Sequence, residues 1–261
     1  MENKGIIKRQ NKKKADFTGL VAPLVVLAIL FAGLELLTRG LHISRYVLPP
    51  PSSVVRETVT HFGDILPHFL FTLKIITVGF LIAVPLGMFL AALFSQFDIL
   101  VKAVSPVIIL LVITPMITLI PLLMLWLGRN PNLRAIVVIV QAVPIITMNT
   151  LNGFTHIESE KLELARSVGA TRFQCFSSIV FMNAMPQVFT GIKLGCIFST
   201  IGAVSADFVA GSIGLGFRIL QYTKYNLTDL TYGCIIIIAL IGITLYSLVS
   251  AVEKRIVLWK L

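Results

Sequence analysis

Charge is what this 261-residue chain has least of: Asp, Glu, Lys and Arg together make up 13% of it, against 56% hydrophobic residues. A water-soluble globular domain carries about a quarter charged residues. That class is excluded, and lipid is the solvent for most of the chain. Cysteine is also scarce. Cys175, Cys196 and Cys234 are odd in number, far apart and never in a C-x-x-C, which excludes a disulfide framework and a zinc site of that type. No G-x-x-x-x-G-K-[ST] is present to cradle a nucleotide phosphate, no H-E-x-x-H and no G-x-S-x-G. His42, His61, His68 and His156 all fall outside the apolar runs, which argues against an intramembrane metallohydrolase. The formal charge of +10 comes from basic residues that flank apolar runs rather than gather on one amphipathic element. That is the pattern of a membrane protein and not of a nucleic-acid binder.

What the chain has is long apolar runs. A bilayer core of about 30 Å needs roughly 20 apolar residues in helical form. Runs near 19–38, 69–94, 104–127, 133–153, 184–210 and 231–252 qualify. The predicted fold is an all-α integral membrane protein of six transmembrane helices. A basic tail over 1–18 precedes a membrane domain over 19–252, and a short tail covers 253–261. The basic head MENKGIIKRQNKKK leads into an apolar run too long for a signal peptide, so this run is read as a retained first span. Thirteen Lys and Arg residues fall on the side of the N-terminus and seven on the opposite side. By that bias both termini and the loop 154–183 are expected in the cytoplasm, and 211–230 outside.

The loop 154–183 is polar yet helical in pattern. Ile157, Leu164, Ala165 and Val168 share one face, with Glu158, Glu160, Lys161, Glu163 and Arg166 as the polar complement. Gly169 is placed to take the left-handed conformation that closes a helix. Thr171 and Gln174 have the spacing of a capping box for the next one, and Phe173, Phe176 and Val180 give it an apolar stripe. A helix, a stop, a cap and a helix of this length suit docking into a groove on a partner, or resting on lipid headgroups. On these grounds the two stand level.

Other segments carry expectations of their own. In LPPPSSVVRETV, Ser52 or Ser53 is placed to cap a short surface helix after Pro49, Pro50 and Pro51. Gly211, Gly214 and Gly216 form a G-x-x-G-x-G without the strand that a phosphate fingerprint needs, so a tight re-entry turn is expected. Within the runs, Glu35 and Lys74 lie close enough to outer ends to snorkel, and Asp207 sits just before the glycine turn. Lys193 is deeper, between Gly191 and Gly195. It either faces a pathway or reaches the inner headgroups, while the two glycines permit close helix approach. Pro106, Pro115, Pro121 and Pro144 kink the third and fourth runs. Thr114, Thr118, Gln141, Thr147 and Asn149 on those runs are candidates to line a pathway, or simply to bond between helices.

The stretch E-L-A-x3-G at 163–169, with Ile179 ten residues beyond the glycine and Pro186 further on, resembles the "EAA" coupling loop of ABC importer permeases. LPPPSSV, TPMITLIPLLMLWLG, VGATRFQCF and ADFVAGSIGLGFRIL are similar to the subgroup importing nitrate, sulfonates and taurine, which includes transporters of thiamine-precursor pyrimidines. The likeness covers residues 45 to 255. It implies that Glu163, Ala165 and Gly169 match the motif, that Leu164 replaces its middle alanine, and that Phe181–Met182 replace its Leu-Pro, leaving Pro186 as the structural proline. With Arg166, Ala170 and Thr171 these residues would couple to the ATPase, and Asp207 would brace the glycine turn. The resemblance further implies a homodimer in the bacterial inner membrane, two cytoplasmic ATPase subunits and an external solute-binding protein. Such a chain is no enzyme and holds no cofactor, because ATP and Mg belong to the ATPase. The alternative is a stand-alone secondary transporter or channel, which would want mid-membrane carboxylates and paired broken helices.

Overall fold

A computed structural model describes residue 22 and residues 25–128, 132–157, 159–167 and 169–258. Among the described residues all regular structure is helical. Residues 25–40 form α1. There follow α2 (Pro51–Thr60), α3 (Phe62–Phe94), α4 (Asp98–Ile113), α5 (Met116–Leu127), α6 (Leu133–Thr155), α7 (Ser159–Ser167) and α8 (Arg172–Cys175). A π-helical turn over Phe176–Val180 joins α8 to α9 (Phe181–Ala210), and α10 (Leu215–Lys224) and α11 (Thr228–Ile256) complete the order. The chain forms two compact units: Tyr222–Gly233 with the chain up to His61, and Phe62–Gln221 with the chain from Cys234 onward.

Among the described residues four helices are long and apolar enough to cross a membrane: α3, α6, the continuous helix Arg172–Ala210, and α11. Over the run 104–127, expected as one span, α4 and α5 are bent by 99° where they meet, the geometry of a broken span or of a re-entrant loop. Thr114 at the break is extended (φ −64°, ψ 121°), the conformation a following proline imposes. Pro106, Pro121 and Pro144 stay inside helices. The first expected run, 19–38, falls partly outside the described residues.

Helix association in lipid gains little from hydrophobic burial and depends on close packing. The larger unit achieves this with glycine. A Cβ at Gly79 would lie 2.5 Å from the Val138 side chain, and one at Gly87 would lie 2.8 Å from Ile146. From the opposite side, a Cβ at Gly195 would come within 2.7 Å of the same Ile146. Ile146 therefore seats in notches on both α3 and α9, and α6 is the middle helix of the core. Gly79, Ala83, Gly87 and Ala91 recur every four residues along α3 and are all buried, as small-residue packing requires. The G-x-x-x-G of Gly191 and Gly195 thus serves α6 of the same chain. By contrast, α11 leaves Ile235, Ile236, Leu240, Ile243 and Leu248 exposed.

In the smaller unit, α2 begins at Pro51 with Pro50 as its N-cap and no side-chain cap. The expected capping by Ser52 or Ser53 is not what forms. A proline in the first turn has no N–H to satisfy, and the free Ser52 N–H is met by Glu35 Oε2 of α1 at 3.0 Å. Glu35 also pairs with Arg39 at 2.6 Å.

Candidate coupling hairpin and the two ends of α9

The segment between α6 and α9 is locked by local bonds. Gly169 has φ +80°, and the Ala170 N–H donates to the Ala165 carbonyl at 3.0 Å. This is the six-to-one bond of a Schellman stop, with glycine at the position that needs left-handed backbone. Two residues on, Thr171 Oγ1 accepts from the Gln174 N–H (3.3 Å) while Gln174 Oε1 accepts from the Thr171 N–H (2.8 Å). That reciprocal capping box starts α8. The hairpin begins at Ser159 rather than 157, and its apolar residues do not all face inward. Ala165 is buried, but Leu164 is 69% and Phe173 78% exposed. Glu163 is exposed beside them, while Glu158 and Val168 lie outside the described residues, as does the Arg166 side chain.

The root of the hairpin is packed. The Phe154 ring in the last turn of α6 meets Phe176 edge-on at 5.3 Å and lies 6.3 Å from Phe181. Leu151, Ala184 and Val188 complete this cluster with Ala91 of α3 and Ile108 of α4. Phe173, expected on the same stripe as Phe176, lies one turn further out. There α6 has already ended, and nothing of the described chain covers it. An open groove on the hairpin is lined by Lys161, Leu164, Ala165, Gly169, Gln174 and Ser178, among others.

At its other end α9 meets a buried charge cluster. Thr72 Oγ1 of α3 donates to Asp207 Oδ2 at 3.1 Å and accepts from the Leu215 N–H at 2.8 Å. Gly216 N–H also reaches Oδ2, at 3.4 Å. Arg134 of α6, 8% exposed, sets its Nε 3.4 Å from Oδ1 and its guanidinium over the Phe71 ring at 4.8 Å. The Gly214 N–H donates to His68 Nδ1 at 3.0 Å. Gly214 itself has φ +123°, and a Cβ there would overlap the Asp207 carboxylate. One carboxylate therefore joins α3, α6, α9 and the glycine turn. Thr72, Arg134 and His68 were not singled out by the sequence, where they look like ordinary end-of-span residues.

Residues 83–258 match the family described as the binding-protein-dependent transport system inner membrane component. The chain belongs to that family. Its relatives include the putative aliphatic sulfonates transport permease protein SsuC of Bacillus subtilis (strain 168), 25% identical over 95% of this chain and 90% of that protein. The formylaminopyrimidine transport permease protein ThiX of Halalkalibacterium halodurans is 26% identical over 82% of this chain and 86% of its own length. Among solved structures, the crystal structure of an amino acid ABC transporter with histidines has a TM-score of 0.63 at 18% identity, covering 76% of this chain and 97% of the other. At that identity the shared feature is the fold. The chain is a multi-pass inner-membrane permease subunit of an ABC importer, and the stand-alone transporter alternative falls with that membership.

In this permease the candidate pathway residues bond mainly to their own helices. Thr114 donates to Leu110 O, Thr118 to Pro115 O, and Asn149 to Ile145 O. Thr147 is buried between α6 and α3, bonded to Val143 O at 2.8 Å and Gly87 O at 3.2 Å. Gln141 Oε1 is buried without a hydrogen-bond partner among the described residues. Lys193 is met by Glu253 of α11 at 2.7 Å, with the Tyr246 ring centroid 6.0 Å away. Pro186 lies five residues into α9 without interrupting it, and its own carbonyl accepts from Thr190 Oγ1 at 2.8 Å.

Proposed function

We propose that two copies of this permease form the translocation pathway of an ATP-driven importer, and that the α7–α8 hairpin is its joint to a cytoplasmic ATPase. The observation that carries this reading is the hairpin itself. It is stiffened by a Schellman stop and a capping box, presents Leu164 and Phe173 bare, and is continuous with the helix that enters the core. A push on it is delivered along α9 and, through Phe176 and Phe181, to Phe154 of α6. Closure of the ATPases would tilt these helices and open the pathway outward. An external binding protein would then deliver its solute, and hydrolysis would restore the inward state. ATP and Mg would be held by the ATPase.

In this reading both termini face the cytoplasm, six spans are completed by the run at 19–38, and Asp207 braces the glycine turn at the outer face. The names of the relatives point to a small solute, either an anion such as a sulfonate or a neutral pyrimidine. Because Lys193 is paired with Glu253, its charge is compensated and is not a bare lure for an anion.

The test is capture of the ATPase from the native host with the tagged parent and with Gly169→Trp, together with solute uptake. Nothing in the described structure lies within 4 Å of a Cβ at Gly169, so the β-carbon of the tryptophan is unobstructed. Its backbone cost is about 1–2 kcal/mol. Membrane insertion should be normal, the ATPase lost and uptake abolished. Full uptake by Gly169→Trp would overturn the assignment.

A further inference from the structure

The unit containing α1 and α2 holds a cavity of about 550 Å³ between the C-terminal end of α1 and the first turns of α2. Its walls carry Arg39, Arg45, Arg56 and His42 and no carboxylate. One of these charges is already answered, since Glu35 pairs with Arg39 and fixes Ser52. Arg45 has no ion-pair partner among the described residues. Arg56 makes one 3.4 Å contact with its neighbour Glu57, and its side chain is 82% exposed. An exposed pair of that kind is worth little. Two arginines therefore line the same cavity largely uncompensated, and guanidinium is the group best suited to a phosphate.

The surroundings say what the phosphate is attached to. Leading away from the cavity, α1 leaves Leu27, Leu30, Leu34 and Leu37 exposed. At the α1–α2 link Tyr46 is 73% exposed, an amphipathic ring of the kind that sits at headgroup level. A charged cavity at the end of a bare apolar helix fits a molecule with an anionic head and hydrocarbon tails. We propose that this cavity holds the headgroup phosphate of an anionic phospholipid of the outer leaflet, with the acyl chains lying along α1. The proposal rests on the membrane orientation given above, but not on the coupling role of the hairpin.

The experiment is native mass spectrometry of the purified permease–ATPase complex, stripped of lipid and titrated with phosphatidylglycerol, with excess inorganic phosphate as competitor. The parent is compared with the double variant Arg45→Gln/Arg56→Gln and with Lys224→Gln/Lys254→Gln, which removes as much charge from exposed positions elsewhere. The parent and the lysine variant should retain phosphatidylglycerol. The arginine variant should bind it roughly tenfold more weakly, the scale of one lost charge-assisted contact, and inorganic phosphate should not displace it. Equal retention by the arginine variant overturns the site. Displacement by phosphate alone makes it a site for free oxyanions and overturns the lipid. Unchanged lipid with lost capture of the external binding protein assigns the arginines to that protein instead. Because lipid is read by mass, none of these outcomes depends on whether Gly169→Trp blocks uptake.

Discussion

At the Arg172 end of the long helix Arg172–Ala210, the fixing contacts come from within a few residues: Ala165 to Ala170, and Thr171 to Gln174. At the Ala210 end they come from across the sequence, with Thr72 bonded to Asp207 over a separation of 135 residues. The first end is exposed and held by neutral local bonds, so its stiffness is its own. The second is buried and held by a charge pair, so it moves only with α3 and α6 or by breaking that pair. Under the proposed coupling, the arrangement distinguishes the end that would be pushed from the end that is anchored.

The comparison breaks most easily at Asp207. Replacing it by alanine leaves Arg134 buried without its carboxylate, and an uncompensated buried charge of this kind costs about 3–5 kcal/mol. The purified Asp207→Ala permease should therefore melt well below the parent. Asp207→Ala/Arg134→Leu, which removes both charges, should recover part of the loss. A parent-like melting temperature for Asp207→Ala would show that the anchor lies elsewhere.

A smaller effect is expected at the other end. Thr171→Ala removes the cap, for about 1 kcal/mol, and the loss should stay local. Amide exchange over 172–175 should quicken by roughly fivefold while the melting temperature scarcely moves. Unchanged exchange would mean that the capping box does not hold the hairpin.

The smallest stability effect belongs to Leu164→Ser/Phe173→Ser. Both side chains are exposed, so the change in melting should stay within about 0.5 kcal/mol, yet affinity for the ATPase should fall by roughly tenfold or more. A drop in melting as deep as that of Asp207→Ala would show that these side chains are already covered within the permease pair.

The same contrast governs what the sequence disclosed. The Gly169 stop and the Thr171–Gln174 cap were legible because their partners are neighbours in the chain and their residue types are few. Asp207 was legible only as an ionisable residue before a glycine turn. Its partners Thr72 and Arg134 carry no local signal, and Lys193 gave no hint of Glu253. Hydropathy located α3, α6, α9 and α11 but is blind to direction, so it gave no sign of the 99° break at Thr114–Pro115. Three other prolines in the same two runs remained within helices, and the extended backbone at Thr114 is what separates the break from the kinks. The exposure of Leu164 and Phe173 was also hidden, since it depends on where α6 stops.

The π turn at Phe176–Val180 has a consequence for insertions and deletions. Each residue added to or taken from a helix turns everything beyond it by about 100°, and a π turn accommodates one surplus residue without breaking the helix. Deleting one residue from 176–180 would leave an uninterrupted, regular helix and an intact core. Because the π turn absorbs that residue, Leu164 and Phe173 would keep nearly the same azimuth around the α9 axis, whereas a deletion in the regular part of α9 would swing them by about 100°. The five residues of the π turn are thus the place in this long helix where the chain can lose one residue without re-aiming the hairpin.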